Sequence, residues 1–374
     1  MKKLGFGMMR LPLMDPKEQT QVDRPQAQAM VDAFLARGFT YVDTAYFYHG
    51  KESERVVKDI LTSRYPRESY ILADKMPITS LREKGTVEDQ ARIFDEQLEK
   101  CGVDYFDRYL VHCVNAANYK AAKRLDTFAF LAKKKEEGKL RHLGFSYHDN
   151  AVLLDQILTE HPEVEFVQLQ LNYLDWEDER IQSRKCYETV VRHGKKVVVM
   201  EPVKGGRLAK LPEEAEKLLR AVHPDWSPAS WAIRFAASLP EVEMVLSGMS
   251  DMAQLEENTG FMSDVPPLTE EETALLARVA EILSALPAVA CTACRYCVDG
   301  CPRNIPIPDY FALYNGDQLA LRNGLPARKE EYQRLAETGG KASSCIKCRQ
   351  CENACPQHLK IVNALAKVAE TYEG

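Results

Sequence analysis

Long apolar runs are absent from this chain of 374 residues. No stretch approaches the ~18 uninterrupted apolar residues of a membrane span, so no membrane partner is expected. The N-terminal segment MKKLGFGMMRLPLMDP carries two lysines and then a broken apolar run. It has no continuous hydrophobic region and no small-residue cleavage site. No signal peptide is read there, and a cytoplasmic location is expected. A strong charge of one sign is also missing. The net charge is −6 with both signs well mixed, which argues against nucleic acid as the main partner. Cysteine is sparse over the first 290 residues, where Cys101, Cys113 and Cys186 stand without a recurring spacing. Isolated thiols of this kind read as small buried hydrophobes.

Apolar residues still make up 45% of the chain, enough for a sizeable core. One compact domain usually stops growing near ~250–300 residues, so a large domain plus a small one is expected. Short apolar runs recur through the first 260 residues, each followed by a polar stretch of helical periodicity. The predicted strands are LGFGMM (4–9), TYVDTAY (40–46), YILADK (70–75), DRYLVH (107–112), HLGFSY (142–147), FVQLQLN (166–172), KVVVMEP (196–202) and VEMVLSG (242–248). Eight strands alternating with helices suit an α/β fold, a parallel (β/α)8 TIM barrel; an open doubly wound sheet is the competing architecture.

Three predicted strands deliver an ionisable group after their apolar run: Asp43 lies in YVDTAY, Lys75 closes YILADK and His112 closes YLVH. Barrel enzymes gather catalytic groups at that end of the strands. The segments DTAYFYHGKESE, ADK and YLVH resemble the active-site motifs of the aldo-keto reductase superfamily, whose fold is the (β/α)8 barrel. The resemblance covers about residues 1–262. It implies a catalytic tetrad of Asp43, Tyr48, Lys75 and His112, with Tyr46 as a structural aromatic within its strand. The residue types suit the chemistry. Adding hydride to a carbonyl leaves an alkoxide that needs a proton, and a phenol with a pKa near ~10 is a reluctant donor. A neighbouring ammonium, Lys75, would bring Tyr48 toward the working pH, Asp43 would hold Lys75, and His112 would orient the carbonyl oxygen.

The same resemblance implies a nicotinamide cofactor, NADP(H) or NAD(H). Ser146 in GFSY and Gln168 in FVQLQLN fall where the family binds the carboxamide, although Tyr147 replaces the usual Asn. Met200 in VVVMEP stands where many members stack a tyrosine on the ring, and a thioether can also cover it. EPVKGGRLA offers Lys204, Gly205 and Gly206 either to a pyrophosphate or to a plain turn. SGMSDMAQLEEN resembles the adenosine-end motif, with Ser250, Gln254, Glu257 and Asn258. Many NADPH-dependent members carry arginine where Gln254 stands, so the choice between the two cofactors stays open.

The remaining eight cysteines form two clusters. CTACRYCVDGCP holds Cys291, Cys294, Cys297 and Cys301; CIKCRQCENACP holds Cys345, Cys348, Cys351 and Cys355. C-x2-C-x2-C-x3-C-P is the bacterial ferredoxin run, in which the fourth cysteine ligates the other cluster. Two [4Fe–4S] clusters are therefore expected, one on Cys291, Cys294, Cys297 and Cys355, the other on Cys345, Cys348, Cys351 and Cys301. Zinc would need only four ligands per site, usually as C-x2-C pairs at longer separation. His358 reads as a surface or packing residue. Helices are expected in PDYFALYNGDQLALRNG, PARKEEYQRLAETGG and LKIVNALAKVAETY, the last with Leu359, Val362, Leu365 and Val368 along one face. The arrangement resembles the α-helical ferredoxin domain of some multi-subunit reductases. The expected organisation is a barrel over 1–262, a linker and connecting helix over 263–286, and a ferredoxin domain over 287–374.

The combination implies an NAD(P)-linked oxidoreductase acting on a small carbonyl/alcohol pair, with the clusters coupling it to a one-electron partner such as ferredoxin or flavodoxin. Hydride carries two electrons and each cluster passes one. The mismatch calls for a flavin, for which no motif is seen, for a substrate radical, or for clusters kept for structure. A nicotinamide-binding redox sensor or docking module with structural clusters is the alternative.

Overall fold

A computed structural model describes residues 2–15, 18–285, 288–322 and 326–374. The chain divides into two compact units, Met1–Val203 with Ala229–Thr273, and Lys204–Pro228 with Ala274–Gly374.

The first unit is a closed barrel of eight parallel strands in sequence order. They are β1 (Leu4–Gly7), β2 (Tyr41–Asp43), β3 (Ile71–Met76), β4 (Phe106–Val114), β5 (Leu140–Tyr147), β6 (Phe166–Gln170), β7 (Lys196–Met200) and β8 (Val242–Ser247). Each predicted strand is present, and closure through β1 and β8, with Leu4 opposite Val245, removes the open-sheet alternative. β2 is shorter than its sequence pattern. It ends at Asp43, so Tyr46 lies beyond the strand rather than in it. There Lys100 and Lys51 approach the Tyr46 ring at 4.6 and 5.1 Å.

Helices follow the strands, and their ends are written locally. Helix Val87–Cys101 begins with a capping box between Thr86 and Asp89 and ends at Gly102, whose φ of 65° is left-handed. Pro228–Ser238 is almost wholly buried because its sequence, PASWAIRFAAS, is apolar on nearly every side.

Strand periodicity positions the site. Tyr41, Ala73, Leu110, Phe166, Val198, Met244 and Leu246 form one buried cluster. Side chains two apart on a strand share a face. Asp43, Lys75, His112, Gln168 and Met200 are each two residues beyond a member of that cluster. The apolar layer thus continues, one step along the strands, into a polar layer. Gly144 in β5 makes room for the lower layer, since a Cβ there would stand 2.6 Å from the Phe166 ring. Two residues on is Ser146.

The second unit is helical. Its helices include Ile307–Arg322, Lys329–Glu337 and Ile361–Glu373, with the short Gln350–Ala354 inside the second cysteine run. Tyr310, Tyr332 and Tyr372 stack in series, with centroids 4.7 and 5.1 Å apart. The hydroxyl of Tyr372 donates to Asp317 Oδ2 at 2.8 Å, so the buried phenol is satisfied. The last helix buries Ile361, Leu365, Val368 and Tyr372, whereas Val362 is only half-buried. Leu359, Leu365 and Val368 are buried as expected, and Ile361 and Tyr372 join them in place of Val362. Among the described residues, no helix is long and apolar enough to cross a membrane.

Candidate active site and cluster motifs

β2 and β3 deliver an ion pair. Lys75 Nζ donates to Asp43 Oδ1 at 2.6 Å and to the Thr44 carbonyl at 2.6 Å. Both side chains are buried. The ammonium stands 5.0 Å from the centre of the Tyr48 ring. The Tyr48 and His112 rings meet edge to face at 6.1 Å. The four residues are therefore gathered.

His112 reaches this cluster through an irregularity. β4 continues to Val114, past the expected end, but its register against β5 shifts between Val111 and Val114. Cys113, next to His112, has a left-handed φ of 56°. A bulge of this kind re-aims a side chain at a strand end. The Cys113 N–H donates to Ser146 Oγ at 2.8 Å, and Asn118 Nδ2 donates to the Cys113 carbonyl at 2.7 Å. These bonds hold the bulge.

The electrostatics differ from the sequence expectation at one point. Burial pushes the Tyr48 hydroxyl up to about 12, outweighing the opposing pull of Lys75. Tyr48 is thus a neutral phenol at neutral pH. Burial opposes charge on Lys75, but attraction to Asp43 and Tyr48 wins and raises its pKa. Burial raises Asp43 despite Lys75; with the ammonium bonded directly to it, we read the pair as charged. Burial, then the charge of Lys75, holds His112 well below the ordinary imidazole range, so its ring is neutral.

Behind Lys75 lies a network that the sequence reading did not pick out. Gln97 Nε2 donates to the Lys75 carbonyl at 3.1 Å and to Glu54 Oε1 at 2.8 Å, and the Tyr109 hydroxyl donates to Gln97 Oε1. The Lys75 N–H donates to Asp74 Oδ1 at 2.8 Å. Lys100 pairs with Glu54 at 3.4 Å. Burial raises the pKa of both Asp74 and Glu54. Glu54 sits in the quoted motif DTAYFYHGKESE, two residues past a more conspicuous Glu52. Gln97 had only its helical position to mark it.

Residues offered to a nicotinamide are placed unevenly. Ser146 and Gln168 are register partners on β5 and β6. Gln168 Nε2 lies 3.6 Å from Met200 Sδ, while its Oε1 is buried without a hydrogen-bond partner. A buried amide oxygen left unpaired is costly, and a carboxamide N–H is a group that would satisfy it. Ser250 donates to the Arg10 carbonyl at 2.9 Å. Gln254 Oε1 accepts from the Ser250 N–H, and its Nε2 donates to Asp251. Asn258 is buried against Ser247 Oγ at 3.1 Å, and Glu257 is exposed. Ser250 precedes Asp251, which caps helix Met252–Phe261, and the other three lie on that helix. Lys204 and Gly205 belong to the second unit instead. Lys204 Nζ donates to Gln357 Oε1 at 3.2 Å, and a Cβ on Gly205 would meet the Thr292 carbonyl at 2.6 Å. Gly206 has open space around it.

The two cysteine runs are backbone copies of each other. Left-handed residues recur at matching places: Ala293 and Lys347, Arg295 and Arg349, Asn304 and His358. Matching turns follow, with the Cys301 N–H donating to the Val298 carbonyl and the Cys355 N–H to that of Glu352. His358, exposed, holds the place of Asn304 in this repeat. Cys291, Cys294, Cys297 and Cys355 line one cavity together with Thr292, Arg295 and Gln357. Burial, then the neighbouring Cys291 and Cys355, pushes the Cys297 thiol up to about 12. Burial, with contributions from Cys345 and Cys301, pushes Cys351 up to about 11. Cys348 is exposed. Among the described residues, no three His, Cys, Asp or Glu side chains converge as they would around a single metal ion. Thiols that raise one another's pKa ionise readily only beside a cation, and thiolates are the ligands of iron–sulfur clusters. The first cavity, with three cysteines of one run and the last of the other, fits that donor set.

Residues 3–281 match the aldo/keto reductase family. The chain belongs to that family. Residues 290–360 match the 4Fe-4S dicluster domain, so a ferredoxin-like dicluster domain follows the barrel. L-galactose dehydrogenase from Arabidopsis thaliana is 24% identical over 280 residues, 68% of this chain and 83% of its own length. An aldo-keto reductase from Bacillus halodurans, in its holo form, superposes with a TM-score of 0.60 at 25% identity, over 74% of this chain and 91% of that one. One from Klebsiella pneumoniae, solved with NADPH, gives 0.56 at 19%, over 74% and 90%. Four mycobacterial aldo-keto reductases match at 28–32% identity over 119–145 residues, less than half of their own length, and one from Mycobacterium avium is 27% identical over 259 residues, 69% of this chain and 79% of its own length.

Proposed function

We propose that this protein is an NAD(P)-linked oxidoreductase that interconverts a small carbonyl and its alcohol at Tyr48. The observation that carries the reading is the buried 2.6 Å Asp43–Lys75 pair with Tyr48 and a neutral His112 beside it. A bound nicotinamide supplies or accepts the hydride. Ser146 and the unpaired Oε1 of Gln168 would hold its carboxamide, and Met200 would lie along the ring. The NADPH bound by the Klebsiella relative supports a cofactor of this class.

The chain's own groups handle the proton and the oxygen. As hydride reaches the carbonyl carbon, negative charge grows on the oxygen. Tyr48, a neutral phenol at working pH, gives that oxygen its proton. The phenolate left behind lies next to the Lys75 ammonium, whose charge it needs most at that moment. Asp43 keeps Lys75 in place and charged. His112, being neutral, donates a ring N–H to the carbonyl oxygen without competing for its proton. In the reverse direction the phenolate takes the proton from the alcohol.

The dicluster domain would exchange electrons one at a time with a small carrier protein such as ferredoxin or flavodoxin. We place its ligands on Cys291, Cys294, Cys297 and Cys355, and on Cys345, Cys348, Cys351 and Cys301. Tyr48→Phe tests the barrel half. Carbonyl reduction should fall by roughly 10²–10⁴-fold, the usual worth of a positioned acid, while NADPH binding, read by fluorescence titration, stays intact. A variant that still turns over would remove Tyr48 as the donor. A cofactor-dependent signal without measurable turnover in the wild type, kept in Tyr48→Phe, would favour a sensor.

A further inference from the structure

The two cysteine runs share a backbone but not their surroundings. In CTACRYC, Thr292 is buried, Arg295 pairs with Asp309 at 3.1 Å, and Gly205 packs against Thr292. Lys204 and Gln357, both buried, bond nearby. The segment that follows β7 therefore lies on the first run.

Between its first and last cysteines, CIKCRQC faces solvent. Ile346 is 53% exposed, one of the few large apolar side chains left so open. Lys347, Cys348, Arg349 and Gln350 are all exposed. From Lys341 to Arg349 the sequence holds three basic residues and no acidic one, in a chain whose net charge is −6. Arg303 joins the same edge. The Gly340 N–H donates to the Asn304 carbonyl at 3.0 Å, which brings Arg303 next to Lys341, and Arg303 itself follows Cys301 by two residues. Glu352 stands 4.0 Å from Arg349, at the edge of ion-pair range, and Glu373 lies near Lys341. Neither belongs to the Lys341–Arg349 sequence, and the Glu373 carboxylate is engaged by the Ser343 N–H at 3.0 Å and by the Ser343 hydroxyl.

We propose that the exposed loop around Ile346, Lys347 and Arg349, flanked by Arg303 and Lys341, is the docking surface for an acidic one-electron carrier protein. Electrons would then enter or leave through the cluster held by Cys345, Cys348 and Cys351. This rests on the reading that the clusters exchange electrons. Short-lived electron-transfer encounters bury little surface, so charge rather than area sets their rate. A basic rim steers an acidic partner and loses its pull as salt screens it. Ile346 supplies a central apolar contact. Each encounter moves one electron: the reduced carrier is oxidised by one as the cluster is reduced by one, with no bond or proton exchanged.

The test uses the full-length, anaerobically prepared holoprotein and a purified acidic flavodoxin reduced to its hydroquinone. Stopped-flow bleaching of cluster absorbance gives the second-order rate. It should fall at least about tenfold between low and high salt. Lys347→Glu with Arg349→Glu should lower it about tenfold or more at low salt and flatten its salt dependence. Lys120→Glu with Lys133→Glu, on the barrel, should change it less than about twofold by the same steering argument. If the first pair of changes costs iron, Arg303→Glu with Lys341→Glu, outside both cysteine runs, carries the same test. A salt-independent rate, or equal losses from barrel and loop variants, would overturn the docking surface. Dithionite needs no docking and separates the two claims. Clusters that dithionite does not bleach overturn electron exchange itself; clusters that it bleaches, with a flavodoxin rate indifferent to the loop charges, overturn the docking surface alone.

Discussion

Lys75 Nζ and Asp43 Oδ1 lie 2.6 Å apart, out of contact with solvent, at the ends of neighbouring strands. The pair fixes the ammonium beside Tyr48, and it is costly to break. Removing one partner of a buried pair strands the other charge, at about 3–5 kcal/mol, whereas replacing both can be nearly neutral. Asp43→Asn should therefore destabilise the barrel by about that amount in urea denaturation. Asp43→Asn with Lys75→Met should regain most of the stability and none of the carbonyl reduction. A double variant as unstable as the single would mean that the pair contributes net stability beyond its own charges.

Tyr48 sets a pH rule that differs between directions. Below a hydroxyl pKa of about 12, the phenolate fraction grows tenfold per pH unit, while the phenol fraction hardly changes. Alcohol oxidation, which needs phenolate, should rise with a log-rate slope near one from about pH 7 to 10. Carbonyl reduction should stay flat over the same range. A plateau of oxidation below about pH 9 would mean that Lys75 outweighs burial once cofactor is bound.

The pairing of cysteines across the two runs can be read by iron content. Two [4Fe–4S] clusters hold ~8 iron atoms, and loss of one leaves ~4. Cys291→Ser and Cys355→Ser each should leave about one cluster, and so should the two combined, because these thiols share a cavity. Cys291→Ser with Cys301→Ser should remove both. If instead the Cys291/Cys355 combination empties the protein and Cys291/Cys301 does not, each run holds its own cluster.

Strand number, order of elements and the ends bearing Asp43, Lys75 and His112 were legible because period-2 burial and strand-end charge are local features. The position of Tyr46 was not, since what stops β2 at Asp43 is pairing with its neighbours. The bulge at Cys113 left no mark, because a left-handed cysteine has no compositional signature. The balance at Tyr48 was not legible either: a sequence places the lowering charge of Lys75 near it but does not weigh that charge against burial. Gln97 and Glu54 escaped because their role depends on a helix and a loop meeting behind β3. The destination of Lys204 and Gly205 was equally hidden. Two glycines after a strand suit a phosphate or a turn, and only the fold shows Gly205 against Thr292.

That last contact makes its own prediction. Gly205 has φ 64°, where any L-residue with a Cβ pays roughly 1–2 kcal/mol. A Cβ would also lie 2.6 Å from the Thr292 carbonyl and 2.8 Å from its Cα, atoms of a backbone that cannot swing aside as a side chain would. Thr292 sits between Cys291 and Cys294, so any shift is passed to the first cluster's loop. Gly206, with φ 94° and open space around it, carries the backbone cost without the clash. Gly205→Ala should therefore speed the loss of cluster absorbance under an iron chelator several-fold more than Gly206→Ala, and lower the thermal midpoint further. The chelator assay reads the cluster directly, so it separates damage at Thr292 from general instability. Equal rates for the two variants would assign the whole effect to backbone strain and leave the Gly205–Thr292 contact without consequence for the cluster.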